Sequence, residues 1–297
     1  MNILVTGATG FVGSALVEAL SETDHHVKAM TRQPEGYDPP GDVTVVEGDL
    51  LAPSTLQRAF EDVDVAYYLV HSLKTGGAFA ERDRQAAHQF TTAASEAGVN
   101  RVIYLGGLGE TGDDLSEHLR SRREVEVILS NGSFELTTLR AAIIVGAGSM
   151  SFTMIRQLVT RLPVMITPKW VRTNCQPIAL KDVIAYLIGV LEVPETGGET
   201  FEIGGPDVLT YQRMLRITGQ KLGKQPIVIP VPILSPALSV YWVDLVTDVP
   251  KSVAHPLIYG LKNAVVVTDP RIRELLPIEL TPFEEAIEEA LAGDSQE

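Results

Sequence analysis

The sequence predicts an α/β fold in which a doubly wound parallel sheet carries a smaller C-terminal lobe. Short apolar runs alternate with helical patterns through the first half of the chain, which is typical of repeated strand–helix units. A chain of 297 residues is long for one domain and short for two large ones. After Val145 the alternation gives way to stretches rich in Gly, Ser and Pro. We therefore predict a cofactor-binding domain in residues 1–150, with a return segment at 176–204, and the lobe in 151–175 and 205–297.

The individual elements follow from apolar runs, helical spacing and turn residues. Strands are predicted at 2–6, 27–31, 43–47, 65–70, 101–105, 136–145 and 200–203. Helices are predicted at 11–20, 54–60, 81–97, 115–129, 152–162, 181–191 and 211–222, with a charged helix at the end. Four prolines between 226 and 246 exclude a single membrane-spanning helix in the most apolar late stretch.

Charge and composition exclude several function classes. The net charge of −14 argues against nucleic acid and against an anionic membrane surface as partners. The single cysteine, Cys175, excludes a disulfide framework and a cysteine-rich zinc site. The six His residues form no H-E-x-x-H pattern, so we predict no metal. A low Lys content beside 38 acidic residues suits either a cytoplasm with high salt or a mildly acidic mesophilic protein. The N-terminus lacks the basic segment of a secretory signal, which predicts a cytoplasmic protein.

A glycine-rich loop between the first strand and the first helix predicts a dinucleotide site. It reads Gly7-Ala8-Thr9-Gly10-Phe11-Val12-Gly13. In such a loop Gly7 allows the turn off the strand, Gly10 leaves room for a pyrophosphate, and Gly13 lets the helix pack on the sheet. The helix start supplies free N–H groups and a favourable dipole. We predict that Gly7, Thr9, Gly10, Phe11, Val12 and Gly13 contact the cofactor in a Rossmann-type fold.

The end of the second strand favours one dinucleotide over the other. NAD sites usually place an acid there to hold the ribose 2′-OH. This chain has Thr31 and Arg32 instead, which can donate to a 2′-phosphate, so we predict NADP(H) in preference to NAD(H). Asp49 and the adjacent Leu50 follow the third strand, where Asp49 either accepts from the adenine amino group or caps a turn.

Further candidates lie at the carboxyl ends of later strands, where ligands bind in open parallel sheets. Val70 and His71 end the fourth strand and are predicted to line the cofactor cleft. Trp170, Arg172, Asn174 and Gln176 alternate along one stretch, and a period of two would put them on one side of a strand. We predict that Trp170, Arg172 and Gln176 contact substrate; the alternative is a surface hairpin.

These motifs resemble the short-chain dehydrogenase/reductase superfamily in its extended and atypical branches. The chain is most similar to NmrA-like NAD(P)H-binding proteins, which also resemble the nucleotide-binding accessory subunit of respiratory complex I. The stretches that carry the resemblance are TGATGFVG (6–13), GDL (48–50), AGVNRVIYLGG (97–107), LR (139–140), PIALKDV (177–183) and FEIGGPDVLTY (201–211). The resemblance implies that Arg140 and Ile143, in the last part of the sixth strand, lie beside the nicotinamide; an ordinary buried strand is the alternative, and both can hold.

The chain departs from this superfamily at its catalytic pair. The superfamily carries Tyr-x-x-x-Lys on the helix after the fifth strand, and here His118 and Arg122 take those positions. They lie four residues apart on the helical face that also holds Val125. An imidazole with a pKa near 6.5 could donate a proton at neutral pH, while Arg122 could hold the ribose. The alternative is a solvent-facing pair in a protein that only binds cofactor.

Two functions therefore remain open at this point. One is an NAD(P)H-dependent reductase, dehydrogenase or epimerase that acts on an unidentified small molecule. The other is a sensor or accessory subunit of a redox complex that binds NADP(H) without chemistry. A homodimer is compatible with either hypothesis.

Overall fold

The computed structural model describes residues 1–72, 79–109, 116–231, 246–261 and 263–293, without the side chains of 169, 170, 256 and 257. Its strands are β1 (Asn2–Thr6), β2 (His26–Thr31), β3 (Thr44–Glu47), β4 (Val65–Tyr68), β5 (Arg101–Gly107), β6 (Glu135–Ala141), β7 (Ile144–Val145), β8 (Val164–Pro168), β9 (Asn174–Cys175), β10 (Ile178–Ala179), β11 (Thr200–Ile203), β12 (Leu209–Thr210) and β13 (Ile227–Val231). Its α-helices are α1 (Phe11–Ser21), α2 (Leu56–Ala59), α3 (Phe79–Glu96), α4 (Glu117–Leu129), α5 (Met150–Arg161), α6 (Leu180–Glu192), α7 (Tyr211–Lys221), α8 (Lys251–Gly260), α9 (Ile272–Leu275) and α10 (Phe283–Gly293).

Seven strands form one parallel sheet in the order β11-β6-β5-β4-β1-β2-β3. The strand order reverses between β1 and β4, because β1 runs on to β2 and β3 while β4 runs on to β5 and β6. Ligands of open α/β sheets bind beyond the carboxyl ends of the strands at such a reversal. The predicted Rossmann-type fold class is confirmed.

Helices cover both faces of the sheet. On one face α1 and α6 contribute Leu16 and Val183 to a core with Val5 of β1. On the other face α3 and α4 contribute Phe90 and Val125 to a second core. This arrangement places the start of α1, the start of α3 and the start of α4 at the same carboxyl edge of the sheet.

A third hydrophobic core lies in the C-terminal part of the chain. Phe152 of α5, Met214 of α7 and Ile287 of α10 are among its buried residues. Strand β11 returns to the edge of the large sheet and pairs with β6. The predicted domain boundaries remain a prediction; Ile272 and Leu276, from the predicted lobe, pack in the core of the large sheet, and Leu108 packs in the lobe core.

Two of the differences from the sequence prediction fall on candidate site residues. The strand predicted at 136–145 ends at Ala141, and Ile144–Val145 pairs with β10 in a separate two-stranded sheet. Residues 141–145 are all apolar and at least partly buried, which hid this break in the sequence. Residues Lys169–Arg172 form a 3-10 turn, so the predicted extended face of Trp170, Arg172, Asn174 and Gln176 is wrong. Among the described residues, no helix is long and apolar enough to cross a membrane.

Candidate cofactor site and active site

The glycine loop after β1 has the tight geometry that its sequence predicts. Gly7 has a φ of +71°, and a Cβ atom there would lie 2.9 Å from the carbonyl oxygen of Leu69. A Cβ at Gly13 would lie 2.1 Å from the carbonyl oxygen of Gly7, a distance that no side chain tolerates. The loop thus touches both the segment after β4 and the first turn of α1. Only glycine satisfies both positions.

Gly10 leaves the start of α1 open. It is the N-cap residue, and no side chain caps the helix there. A Cβ at Gly10 would meet only the carbonyl oxygen of Gly7, at 3.1 Å, so the space beyond it is free. Thr9 and Gly10 are exposed, and the ring of Phe11 lies against Gly146. Unfilled space in front of the first N–H groups of a helix fits a pyrophosphate, so the residues present fit a dinucleotide.

The residues predicted to hold the adenosine end surround the ends of β2 and β3. Arg32 is exposed, and the hydroxyl of Thr31 accepts a hydrogen bond from the Gln33 N–H at 3.2 Å. One carboxylate oxygen of Asp49 accepts from the Leu51 N–H at 2.9 Å. Leu50 is buried in the core beneath the sheet. Their contacts with a cofactor stay predictions.

A chain of hydrogen bonds runs from α3 to α4 past the end of β4. Nδ1 of His71 lies 2.9 Å from Oδ2 of Asp83, and Nε2 of His71 lies 3.2 Å from Nδ1 of His118. The Ser72 N–H donates to Oδ1 of Asp83 at 2.9 Å, and the Ser121 hydroxyl donates to Oδ2 at 3.2 Å. We call Asp83, His71 and His118 the relay. The structure therefore brings together two predicted site residues, His71 and His118, and adds Asp83.

The charges of the relay follow from burial and these contacts. Burial tends to raise the pKa of Asp83, but hydrogen bonds from His71 and Ser72 outweigh it and lower that pKa below 3.8. Burial, then the positive charges of His71 and Arg122, place the pKa of His118 well below 6.5. Burial and Arg122 also lower the pKa of His71. His118 is therefore mainly neutral at neutral pH, and the imidazolium that would donate a proton is the minor form there.

The hydrogen bonds assign the protons of the relay. An ionised Asp83 only accepts, so Nδ1 of His71 is the donor to it. Nε2 of a neutral His71 then accepts, and Nδ1 of His118 donates to it. This leaves Nε2 of His118 as the nitrogen with a free lone pair. In the described part of the chain no group of three His, Cys, Asp or Glu is arranged to hold a metal ion.

Arg122 lies beside the relay but is partly engaged. Its Nη2 donates to the carbonyl oxygen of Leu105 at 2.8 Å, and its guanidinium lies over the ring of Tyr104. The Tyr104 hydroxyl donates to the carbonyl oxygen of Arg122, and burial raises the pKa of Tyr104 to about 12. Tyr68 is also buried, with a raised pKa. Neither tyrosine can therefore replace the missing catalytic tyrosine.

The remaining predicted residues are engaged to different degrees. Arg140 forms an ion pair with Glu126 of α4, and Ile143 is partly buried against the lobe core. The Gln176 amide is buried, where it donates to the Gly205 carbonyl oxygen and accepts from the Val267 N–H. The Gln176 amide thus links two backbone segments. It does not make the substrate contact that the sequence predicted. Val70 is half-buried, Arg172 is exposed, and the side chain of Trp170 lies outside the described residues.

Asp83 is the residue that the sequence analysis missed. It is buried on the stripe of α3 that also holds Phe79, Ala86, Ala87 and Phe90. A carboxylate at a buried position of an amphipathic helix needs a partner, because an unpaired buried charge is costly. An acidic residue on the apolar face of the helix was therefore the signal for a site in the sequence. Its partners could not be identified from the sequence, because they come from two other parts of the chain.

Comparison with known proteins agrees with this geometry. Residues 7–156 match the family model described as NAD(P)H-binding, and this range contains the glycine loop, the relay and strands β2 to β6 of the large sheet. The chain belongs to this NAD(P)H-binding family. Its relatives place it with the extended and NmrA-like short-chain dehydrogenases/reductases, as the motifs indicated.

Three similar proteins illustrate the range of the family. A ceramide reductase from Caulobacter vibrioides is 27% identical over 94% of this chain and 86% of its own length. The mitochondrial NADH dehydrogenase [ubiquinone] 1 alpha subcomplex subunit 9 of Arabidopsis thaliana is 24% identical over 89% of this chain and 69% of its own. The triphenylmethane reductase of Citrobacter sp., complexed with NADP(H), has a TM-score of 0.78 at 19% identity and covers 98% of this chain and 100% of its own. That structural likeness shows the fold.

Proposed function

We propose that this NAD(P)H-binding protein is an oxidoreductase that interconverts an alcohol and a carbonyl on a small organic molecule. The observation that carries the proposal is the relay, which aims an unprotonated imidazole nitrogen of His118 from the position where relatives carry tyrosine. A chain of two half-buried histidines on a buried carboxylate has no evident structural purpose at an open sheet edge. Perturbed titratable groups of this kind concentrate at functional sites.

The relay suits the transfer of one proton. Bound NADP(H) would supply or accept the hydride. In the oxidation direction Nε2 of His118 takes the hydroxyl proton, and its positive charge is stabilised through His71 by the carboxylate of Asp83. In the reduction direction the His118 imidazolium returns that proton to the carbonyl oxygen. Because the pKa of His118 lies well below 6.5, reduction is favoured by acid and oxidation by neutral or alkaline pH.

We also propose NADP(H) as the preferred cofactor. Exposed Arg32 and the hydroxyl of Thr31 are placed at the end of β2, where a 2′-phosphate would lie. The solved triphenylmethane reductase, with NADP(H) bound, supports this choice. The cytoplasm and a homodimer, both expected from the sequence, remain parts of the same proposal.

A second candidate is an accessory or sensor protein that binds NADP(H) without chemistry. The absence of tyrosine from Glu117–Leu129 of α4 favours it, and so does the similarity to a complex I subunit. Arg140, Gln176 and Arg122 are also engaged by the protein itself, which leaves fewer groups for a substrate.

One experiment separates the two candidates. The purified chain is mixed with NADPH, and loss of NADPH absorbance is followed against a panel of aldehydes, ketones and lipid carbonyls at several pH values. An oxidoreductase consumes NADPH with at least one compound, and faster as the pH falls. Tight NADPH binding with no consumption across the panel would establish the sensor.

A further inference from the structure

Four aliphatic side chains stand exposed on one face of the two-stranded sheet formed by β8 and β13. Val164, Ile166, Ile227 and Ile229 keep 47%, 60%, 57% and 45% of their surface exposed. Ile227 is in register with Val164, and Ile229 with Ile166, so the four side chains form one contiguous patch. We call this patch the apolar ribbon.

The apolar ribbon breaks the usual pattern of a sheet that covers a core. Parallel strands usually have both faces covered by other elements, and a sheet face that is left open usually carries polar side chains. Here the alternate residues Met165 and Val228 are buried in the lobe core, yet the outer face is aliphatic as well. Four of the nine large apolar side chains that are exposed in the described residues lie on this ribbon. A concentrated exposed apolar patch marks an interaction site.

The stretches of chain around the ribbon have a charge opposite to that of the protein. No Asp or Glu stands between Glu135 and Asp182, nor between Asp207 and Asp244, although the chain contains 38 acids. The same two stretches contain ten basic residues: Arg140, Arg156, Arg161, Lys169, Arg172, Lys181, Arg213, Arg216, Lys221 and Lys224. They supply α5, β8, β9, α7 and β13. All 38 acidic residues therefore lie in the rest of the chain.

Exposed cations lie at both ends of the apolar ribbon. Arg172 ends the 3-10 turn directly after β8, and Lys224 lies three residues before Ile227; both are exposed. Because β8 and β13 run parallel, these cations mark opposite ends of the ribbon. Neither is ion-paired to a described residue, whereas Arg161 pairs with Asp248.

We propose that the apolar ribbon docks on a lipid bilayer with anionic headgroups. Aliphatic side chains enter the boundary between headgroups and acyl chains, and the flanking cations meet the lipid phosphates. Charge favours this orientation because the acidic residues lie outside the two basic stretches, and Glu284 and Glu288 of α10, which belong to the lobe, are paired with Lys221. A symmetric second copy would instead bring the same cations face to face. The net charge of the whole chain argued against an anionic membrane because it does not show that the basic residues are concentrated around the ribbon. The proposal does not depend on the catalytic role of His118.

The test is flotation of the full chain with vesicles. Vesicles of equal phosphatidylglycerol and phosphatidylcholine are compared with phosphatidylcholine alone in about 0.1 M KCl. We expect binding to the anionic vesicles and little to the neutral ones. Lys224→Gln should weaken partitioning about fivefold, the usual effect of one cation near such a surface. Ile166→Gln with Ile229→Gln should weaken it at least about tenfold.

A matched control carries Val127→Gln with Arg58→Gln. Val127 is an exposed aliphatic residue of α4, and Arg58 is an exposed cation of α2, both outside the lobe. This control should bind vesicles as the parent does, and thermal unfolding shows that each variant is folded. Equal binding to both vesicle types, or unchanged binding of the ribbon variant, overturns the proposal. So does a dimer in solution that the ribbon variant converts to monomer, which would make the ribbon an interface between copies.

Discussion

Nε2 of His71 lies 3.2 Å from Nδ1 of His118, so an imidazole from the segment after β4 and one from α4 share a hydrogen bond at the open edge of the sheet. The carboxylate of Asp83 holds the other side of His71. This order keeps His118 neutral while providing a carboxylate that can stabilise its protonated form. The relay therefore ties the proposed chemistry to a measurable pair of histidine pKa values.

Acid should destabilise the folded chain because of these two histidines. Both have a pKa below 6.5 in the folded state, so the unfolded chain binds more protons once the pH falls below that value. Stability present above pH 6.5 is thus lost progressively at lower pH. We expect the melting temperature to fall from about pH 7 to about pH 5, and less steeply in His118→Gln. If the melting temperature of the parent and of the variant fell equally with pH, the pKa of His118 would not be lowered by folding.

Gly10→Val should abolish binding of NADPH without unfolding the protein. The valine Cβ would meet only the Gly7 carbonyl oxygen, and its methyl groups would extend into the space in front of α1. Isothermal titration with NADPH measures the loss, and thermal unfolding tests the fold. Gly36→Ala is the matched control, because nothing lies within 4 Å of a Cβ there. NADPH affinity equal to that of the parent would remove this loop from the cofactor site.

Arg32→Ala tests the choice of cofactor. The substitution should weaken NADPH binding by about 1.5–3 kcal/mol, the scale of one hydrogen bond to a charged group, and leave NADH binding nearly unchanged. Arg58→Ala, an exposed arginine of α2, serves as the control. A parent protein that prefers NADH, or an equal loss for both cofactors, contradicts the assignment of NADP(H).

Salt should stabilise this acidic chain. The charge of −14 repels itself in dilute buffer, and the Debye length shortens from about 10 Å at 0.1 M to about 3 Å at 1 M salt. We expect the melting temperature to rise with KCl over that range. KCl is preferred to sulfate, which strengthens hydrophobic burial for an unrelated reason. A melting temperature that does not change would leave the low Lys content without a physical role.

The elements that the sequence predicted well are those set by local chemistry. Strand Asn2–Thr6, the glycine loop and strand Thr200–Ile203 were predicted with the observed bounds, because apolar runs and glycine turns act over a few residues. The sequence also placed both His71 and His118 near the cofactor cleft. The position of His71 came from the order of the parallel strands, and that of His118 from its place on the helix after the fifth strand.

The remainder depended on contacts between distant segments. Residues 144–145 leave the large sheet because β10 pairs with them, and no local signal in the apolar run shows this. Gln176 is held by Gly205 and Val267, which lie far away in the sequence. The lowered pKa of Asp83 depends on hydrogen bonds from His71 and Ser72, which come from the segment after β4 and not from its own helix.

The most direct test of the account is turnover by His118→Gln with a carbonyl compound that the parent reduces. Glutamine keeps a hydrogen-bonding amide but cannot deliver a proton. We predict that kcat falls about 10²–10⁴-fold, the range for a lost general acid, while NADPH affinity stays unchanged. Turnover equal to that of the parent would show that the proton comes from another group, and would contradict the role of the relay.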